Sequence, residues 1–116
     1  MTLNDFIETL KNNPSILFSE TMAVIETHYR YHPTEFSNGL GDDKILNTAG
    51  TNEGSCKLFS FARLHQLNQQ QTLHLFGEYY QGVLATPEGS DHSNIRNFIN
   101  YGWDGITFQA TALELR

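Results

Sequence analysis

The fold of this chain is decided by residues 51–62, which read TNEGSCKLFSFA. The first half of this stretch is small and polar, whereas the second half repeats apolar residues at the spacing of a buried helix face. The pattern predicts a helix over about residues 55–67, with Ser55 as its N-cap. Cys56, the one cysteine of the chain, then lies in the first turn. Unpaired N–H groups and the positive end of the helix dipole stabilise a thiolate there, so the position predicts a lowered thiol pKa.

Four other segments carry the periodicity of amphipathic helices, over about residues 2–12, 15 or 19 to 29, 69–84 and 91–101. Thr2, Asn68 and Asp91 are the predicted N-caps. The sequence Asn12-Asn13-Pro14 is the predicted end of the first helix, and Gly102 is the predicted end of the last.

The remaining segments predict a small sheet. Residues 33–54 lack periodicity, and we interpret them as a long ordered loop with a short strand on either side. Residues 106–110 alternate as a half-buried strand, which needs a partner near residues 33–36, near Ile45 or in a second subunit. The predicted fold class is α+β, mainly helical, with about five helices around an aromatic-rich core and a small two- or three-stranded sheet. A length of 116 residues is typical of one domain, so residues 1–116 are predicted to form a single domain.

Charge and composition exclude several classes of function. The net charge is −6, and the seven Lys and Arg residues form no basic stripe, so we predict neither a nucleic-acid partner nor a membrane partner. No apolar run approaches the roughly 18 residues of a membrane span, and the first residues do not form a signal peptide. A single cysteine excludes an internal disulfide and is typical of a reducing compartment. The sequence therefore predicts a soluble cytoplasmic protein.

A set of short motifs runs through most of the chain. The downstream motifs are Asn52-Glu53-Gly54-Ser55-Cys56-Lys57, Phe76-Gly77, Asp91-His92, Asn94-Ile95-Arg96 and Gly102-Trp103. The upstream motifs are Thr21-Met22, His28-Tyr29 and Asn38-Gly39. In these motifs the chain resembles the HopJ type III effector family of small bacterial proteins. The resemblance implies export by a type III system without a cleavable signal peptide, but it implies no activity, cofactor or catalytic residue.

Cys56 is the first candidate for chemistry, because a thiol beside a histidine is the arrangement of thiol nucleophiles. The candidates for the base are His92, His65 and His74. The candidates for a group that orients the base are Asn52, Asp91 and Asn94. The alternative is that Cys56 is a small buried hydrophobic residue, which is the commonest role of a free cysteine. We favour packing, since a lone cysteine with unlinked histidines is not specific for an enzyme.

Seven residues are candidates for a ligand or partner surface, namely His28, His32, Asn52, Asp91, Asn94, Arg96 and Trp103. His28 and His32 have the spacing that places two imidazoles on one helix face. Two histidines fall short of the usual ligand count, so we predict no metal site and no cofactor. The polar run from Asp91 to Arg96 surrounds a helix start, where a bound anion and a simple cap are both consistent with the pattern.

Three hypotheses of function follow. We predict a non-enzymatic interaction protein that recognises a protein partner through residues 33–54 and exposed aromatic residues. The alternative is a small thiol-dependent enzyme that uses Cys56 with a neighbouring histidine. A third hypothesis is a domain that binds a metal or a small anion near His28 or His92.

Overall fold

The computed structural model describes residues 2–12 and 15–116. The helices in these residues are α1 (Leu3–Asn12), α2 (Phe18–His28), α3 (Glu53–Leu64), α4 (Gln69–His74), α5 (Glu78–Ala85) and α6 (Ser93–Tyr101). The strands are β1 (Tyr29–Tyr31), β2 (Phe36–Asn38), β3 (Ile45–Asn47), β4 (Thr107–Phe108) and β5 (Leu113–Leu115). Short 3-10 helices cover Gly41–Asp43 and Gly102–Gly105. The fold class is α+β and mainly helical, as predicted. In the part of the chain that the structure describes, no helix is long and apolar enough to cross a membrane.

The strands form two small antiparallel sheets, β1-β5 and β3-β2-β4. The strand predicted at residues 106–110 is β4, which is shorter than predicted and places Phe108 opposite Phe36 of β2. The sequence pattern predicts neither β1 nor β5. The helix predicted to reach Tyr29 ends at His28, because Tyr29 already has the extended backbone of β1, with φ −132°. Strand β1 therefore follows helix α2 directly, with no loop between His28 and Tyr29.

The core is aromatic, as predicted, and α3 lies at its centre. The fully buried rings are Phe6, Phe36, Phe59, Phe61 and Phe98. The Phe59 ring contacts Phe36, Phe76 and Phe98 at centroid distances of 6.0, 5.4 and 4.9 Å. Burying one such side chain stabilises the fold by about 1.5–3 kcal/mol. Helix α3 packs against α2, α4 and β5.

The beginning of α3 differs from the prediction. Asn52, not Ser55, is the N-cap, and Ser55 is the third helical residue. The N–H of Cys56 donates to the carbonyl oxygen of Asn52 over 3.0 Å. Cys56 is thus the first residue of α3 whose N–H is paired within the helix, so it lies beyond the unpaired groups at the helix start.

The helix predicted over residues 69–84 is two helices, because Gly77 interrupts it. Gly77 has a φ of +59°, and a Cβ there would lie 2.6 Å from the Ile16 carbonyl oxygen and from the Phe18 nitrogen. Only glycine allows both the backbone conformation and this close approach. The predicted cap of α4 is confirmed, since the Asn68 side chain accepts the Gln71 N–H over 2.8 Å.

The predicted N-cap of α1 and the predicted C-terminal end of α6 are both confirmed. Thr2 caps α1 as predicted, with its Oγ1 accepting the Asp5 N–H over 3.0 Å. Helix α1 ends at Asn12, and the rest of its predicted end, Asn13 and Pro14, lies outside the described residues. Gly102 ends α6 with a φ of +61°, as predicted.

The predicted cap Asp91 is wrong, because the N-cap of α6 is His92. The Asp91 carboxylate instead accepts a hydrogen bond from Arg96, with 2.6 Å between Oδ1 and Nη2. The carboxylate is held by a side chain of α6 and not by the backbone at the helix start.

Candidate functional site

The starts of α3 and α6 line one open groove of about 450 Å³, which we name the α3–α6 groove. Its polar lining residues are Asn52, Gly54, Ser55, His92, Ser93 and Asn94. Its apolar and aromatic lining residues are Phe18, Phe76, Tyr79 and Ile95. Asn52, His92 and Asn94, which the sequence singles out separately, therefore meet at one place.

Buried asparagines hold the two helix starts together. Asn47 Oδ1 accepts hydrogen bonds from Asn52 Nδ2 over 2.7 Å and from Asn94 Nδ2 over 2.9 Å. Asn94 Oδ1 accepts in turn from the Nδ2 groups of Asn38 and Asn47, over 3.0 and 3.2 Å. Asn38, Asn47 and Asn94 are buried, so breaking these bonds would leave buried amides unpaired.

The sequence does not identify Asn38 and Asn47 as part of this site. Both lie in residues 33–54, where no periodicity separates buried positions from exposed ones. The Asn38-Gly39 pair predicts a turn but carries no sign of burial. Asparagine is mostly an exposed residue, so only the packing of β2 and β3 against α6 reveals this role.

Both helices at the groove begin from a left-handed residue, with φ +49° at Asn52 and at His92. This conformation is uncommon for residues other than glycine and is frequent at functional sites. Within the described residues, neither side chain accepts a hydrogen bond from the first turn of its helix. The first N–H groups of α3 and α6 therefore have no helical acceptor, and with the helix dipoles they favour an anion.

An exposed aromatic side chain stands beside the polar wall. Tyr79 is 43% exposed, although it lies in a segment that carries the periodicity of an amphipathic helix. Its ring lies 5.1 Å from that of Phe18 and 5.4 Å from that of His92, between centroids. A tyrosine that is apolar on its face and polar at its tip suits an interface that is partly wet. The groove thus combines an aromatic surface with polar N–H groups.

Arg96 positions the segment that leads into α6. Its Nη1 and Nε donate to the carbonyl oxygens of Thr86 and Asp91, over 2.8 and 2.6 Å. Its hydrogen bond to the Asp91 side chain holds the pKa of that carboxyl below the usual range. Neither Arg96 nor Asp91 is among the residues that line the groove. Their hydrogen bonds hold Asp91, the residue that precedes His92, against Thr86 and α6.

Cys56 faces away from the groove. Its side chain is 1% exposed, and Sγ donates to the Thr34 carbonyl oxygen over 3.7 Å. Burial raises the pKa of the thiol above its ordinary value. The predicted lowering of this pKa is therefore wrong, because desolvation of the thiolate outweighs the favourable field of the helix start.

The predicted histidine partners of Cys56 make other contacts. His65 Nε2 lies 2.8 Å from the Tyr29 hydroxyl, and burial lowers the pKa of its imidazole. His92 lines the groove, and His74 Nε2 lies 3.1 Å from Gln70 Nε2. Among the residues with described positions, no hydrogen bond joins Cys56 to a histidine. The thiol-enzyme hypothesis stays a prediction without support from these contacts.

The other predicted surface residues lie outside the α3–α6 groove. His32 Nε2 pairs with Glu114 Oε2 over 3.1 Å at the exposed edge of the β1-β5 sheet, and His28 accepts the Arg116 N–H at its carbonyl oxygen over 3.0 Å. Trp103 Nε1 donates to the Leu67 carbonyl oxygen over 3.0 Å. Within residues 2–12 and 15–116, no group of three or more His, Cys, Asp and Glu side chains could hold a metal ion.

Comparisons with known proteins agree with the fold and the motifs. A family model described as HopJ type III effector protein matches residues 3–113. The solved crystal structure of a protein of unknown function, VPA0580, is similar with a TM-score of 0.93 and 43% sequence identity. That match covers 100% of this chain and 95% of the other. No curated protein matches the chain. The family match extends over nearly all of the residues, and the chain therefore belongs to the HopJ family.

Proposed function

We propose that this HopJ family member is a protein-interaction module that binds its partner in the α3–α6 groove. The observation that carries the proposal is the meeting of two uncapped helix starts and an exposed aromatic wall around one groove of about 450 Å³. This volume lies within the range of about 300–1,000 Å³ that is usual for ligand pockets. A groove of this size suits one or two side chains of a partner rather than a flat interface.

The two walls indicate the chemistry of the partner. The first N–H groups of α3 and α6 would donate to a carboxylate. The rings of Phe18 and Tyr79 would contact an aromatic or large apolar group beside it. The partner segment is therefore a peptide in which a carboxylate lies next to an aromatic side chain.

The proposal is tested with N-acetylphenylalanine, which carries one carboxylate and one phenyl ring. We expect saturable changes in the NMR shifts of the Gly54, Ser55 and Ser93 amides, because these residues line the groove. The uncharged amide of the same compound should bind at least about tenfold more weakly, since it loses the charge-assisted hydrogen bonds. Equal binding of the two compounds, or shift changes confined to other residues, would contradict the proposal.

The matched variants are Tyr79→Ala and Leu84→Ala, which lie on the same helix. Both side chains are exposed, at 43% and 52%, but only Tyr79 lines the groove. We expect Tyr79→Ala to weaken binding of N-acetylphenylalanine several-fold through the lost ring contact, about 0.5–1.5 kcal/mol. Leu84→Ala should leave the affinity unchanged.

We extend the proposal to the effector role that the family description names. In that role the module would reach a host cell through a type III system and bind a host protein there. This extension rests on family membership alone. A translocation reporter fused to the chain tests it. We expect a signal in host cells that disappears in a strain without the secretion apparatus, and a signal that persists in that strain would rule out this route.

A further inference from the structure

The pair Asn38-Gly39 is the one place in the sequence where an asparagine precedes a glycine. In such a pair the glycine nitrogen attacks the side-chain carbonyl carbon of the asparagine with little steric hindrance, because glycine has no Cβ. The nitrogen loses its proton and bonds to Asn38 Cγ, the bond from Cγ to Nδ2 breaks, and ammonia leaves with that proton. Water then opens the five-membered imide and leaves aspartate or isoaspartate at residue 38.

The fold requires both residues of this pair. Gly39 has a φ of +100°, and a Cβ there would lie 2.6 Å from Asn97 Nδ2 and 3.0 Å from the Asp43 carbonyl oxygen. Any other residue would be strained by the backbone conformation and by this close approach. Asn38 is fully buried, and its Nδ2 donates to Asn94 O and Oδ1 over 2.8 and 3.0 Å. The reactive pair is therefore built into the structure.

The native contacts hold both reacting groups in place. The Gly39 N–H donates to the Gly105 carbonyl oxygen over 3.0 Å. The Asn38 carbonyl oxygen accepts a hydrogen bond from Asn97 Nδ2 over 3.0 Å, and Asn38 pairs with Ile45 of β3. The reaction requires Asn38 and Gly39 to leave these contacts, and it requires water to reach a side chain that is buried. Conversion therefore belongs to molecules in which this segment has opened.

An aspartate does not fit the place that Asn38 occupies. Its carboxylate has two acceptor oxygens and no donor. One oxygen would face Asn94 O and Oδ1, which are both acceptors. The other would take the position of Asn38 Oδ1, which has no hydrogen-bond partner among the described residues. A buried carboxylate without donors is strongly unfavourable, so conversion destabilises the folded state.

Neither a local rearrangement nor the second product removes this conflict. Rotating the Asn94 amide to offer a donor would break its two hydrogen bonds with Asn47. Isoaspartate carries the main chain through the former side chain and lengthens it by one methylene group. This displaces the chain from the register in which Asn38 pairs with Ile45. Both products are therefore less compatible with the native fold than Asn38 is.

We propose that Asn38-Gly39 is a self-modification site that the fold controls. A molecule that stays folded keeps Asn38. A molecule that remains open converts it to aspartate or isoaspartate, with water as the co-reactant, and does not return to the native state. The pair is thus a one-way switch that removes opened molecules, and it operates without a ligand in the α3–α6 groove.

The first test incubates the protein in mildly alkaline buffer with and without denaturing guanidinium chloride. Mass spectrometry of the peptide that contains Asn38 measures the conversion. We expect conversion in the folded protein to be at least about tenfold slower than in the unfolded chain, since it requires an opening of the fold. Dilution of the denaturant should return unmodified chains to the native fraction and leave modified chains outside it. Equal rates, or modified chains that refold to the original stability, would overturn the proposal.

The product is tested directly with Asn38→Asp. Its matched control is Asn100→Asp, which adds the same charge at an exposed position of α6. We expect Asn38→Asp to lower the melting temperature strongly or to prevent folding, and Asn100→Asp to change the melting temperature little. Equal melting temperatures of the two variants would overturn the proposal.

Two further variants test the local contacts that protect the pair. Asn97→Ala removes the hydrogen bonds to the carbonyl oxygens of Asn38 and Asp43, whereas Asn100→Ala removes an exposed side chain of the same helix. We expect Asn97→Ala to accelerate the conversion of Asn38 in the absence of denaturant several-fold, because the segment opens more readily. Asn100→Ala should leave the rate unchanged. The same rate of conversion in the two variants would overturn the proposal.

Discussion

Ser55 and Cys56 are adjacent in α3 but have opposite environments. Ser55 lines the α3–α6 groove, whereas Cys56 is 1% exposed and donates to Thr34. Successive residues of a helix differ in direction by about 100°, so one step along the chain separates the side that faces the α3–α6 groove from the side that faces the core. Both residues experience the same helix dipole, yet the thiol pKa is raised.

The difference shows which electrostatic effect dominates at a helix start. At an exposed position the helix dipole stabilises a charged side chain by about 0.3–1 kcal/mol. Burial of an ionisable group shifts its pKa by up to about 3–5 units when it is complete. For Cys56 the second effect is larger, so the side of the helix matters more than the position along it.

The largest expected difference between the core side and the groove side of α3 is in the rate at which a thiol reacts with iodoacetamide. Native Cys56 should react about a thousandfold more slowly than the same thiol in the unfolded chain, since reaction requires an opening of the fold. In the double variant Ser55→Cys, Cys56→Ala, the thiol lies on the groove side at the third residue of α3. We expect it to react about as fast as an unfolded thiol, or faster. Mass spectrometry measures both rates, and equal rates for the two native proteins would refute the comparison.

Removing the Asn94 amide should have the next largest effect. Asn94→Ala leaves the buried amides of Asn38 and Asn47 without a shared partner, and we expect a loss of about 2–3 kcal/mol in the free energy of unfolding. Urea unfolding measures this loss. Asn100→Ala, at an exposed position of the same helix, should change it by less than about 0.5 kcal/mol. Equal losses in the two variants would mean that the asparagine network does not hold the groove together.

The smallest of the three expected effects is the contribution of His65 to the pH dependence of the free energy of unfolding. Burial lowers the pKa of folded His65 below its ordinary value of 6.5, so the unfolded chain binds this proton more readily. The contribution of His65 is therefore fully present above about pH 6.5 and is lost as the pH falls through the folded pKa. His65→Gln should flatten this part of the urea-unfolding profile between pH 7 and pH 5. If the free energy of unfolding declined equally with falling pH in the original chain and in His65→Gln, the decline would come from other titratable groups.

Periodicity was a reliable guide to where the helices lie but not to where they begin. The apolar spacing of residues 55–67 predicts α3, and its start differs because Asn52 adopts a left-handed conformation. His92 does the same at α6. Asn52 donates a hydrogen bond to Asn47, and Asn47 in turn accepts one from Asn94, which is 47 positions away along the chain. Gly77 separates α4 from α5 for a similar reason, since the backbone at residues 16–18 packs against it.

The sequence by itself determined the helical periodicity, the aromatic core, the caps at Thr2 and Asn68, and the motifs of the HopJ family. These properties depend on the order of neighbouring residues. The sequence favoured a packed Cys56, and the structure confirms its burial. Only the tertiary structure decided that this burial raises the thiol pKa and that Asn47 joins the starts of α3 and α6. Asn47 and Asn94 are 47 positions apart, and no local pattern records a contact over that separation. The environment of a side chain depends on what packs against it, which the folded chain alone defines.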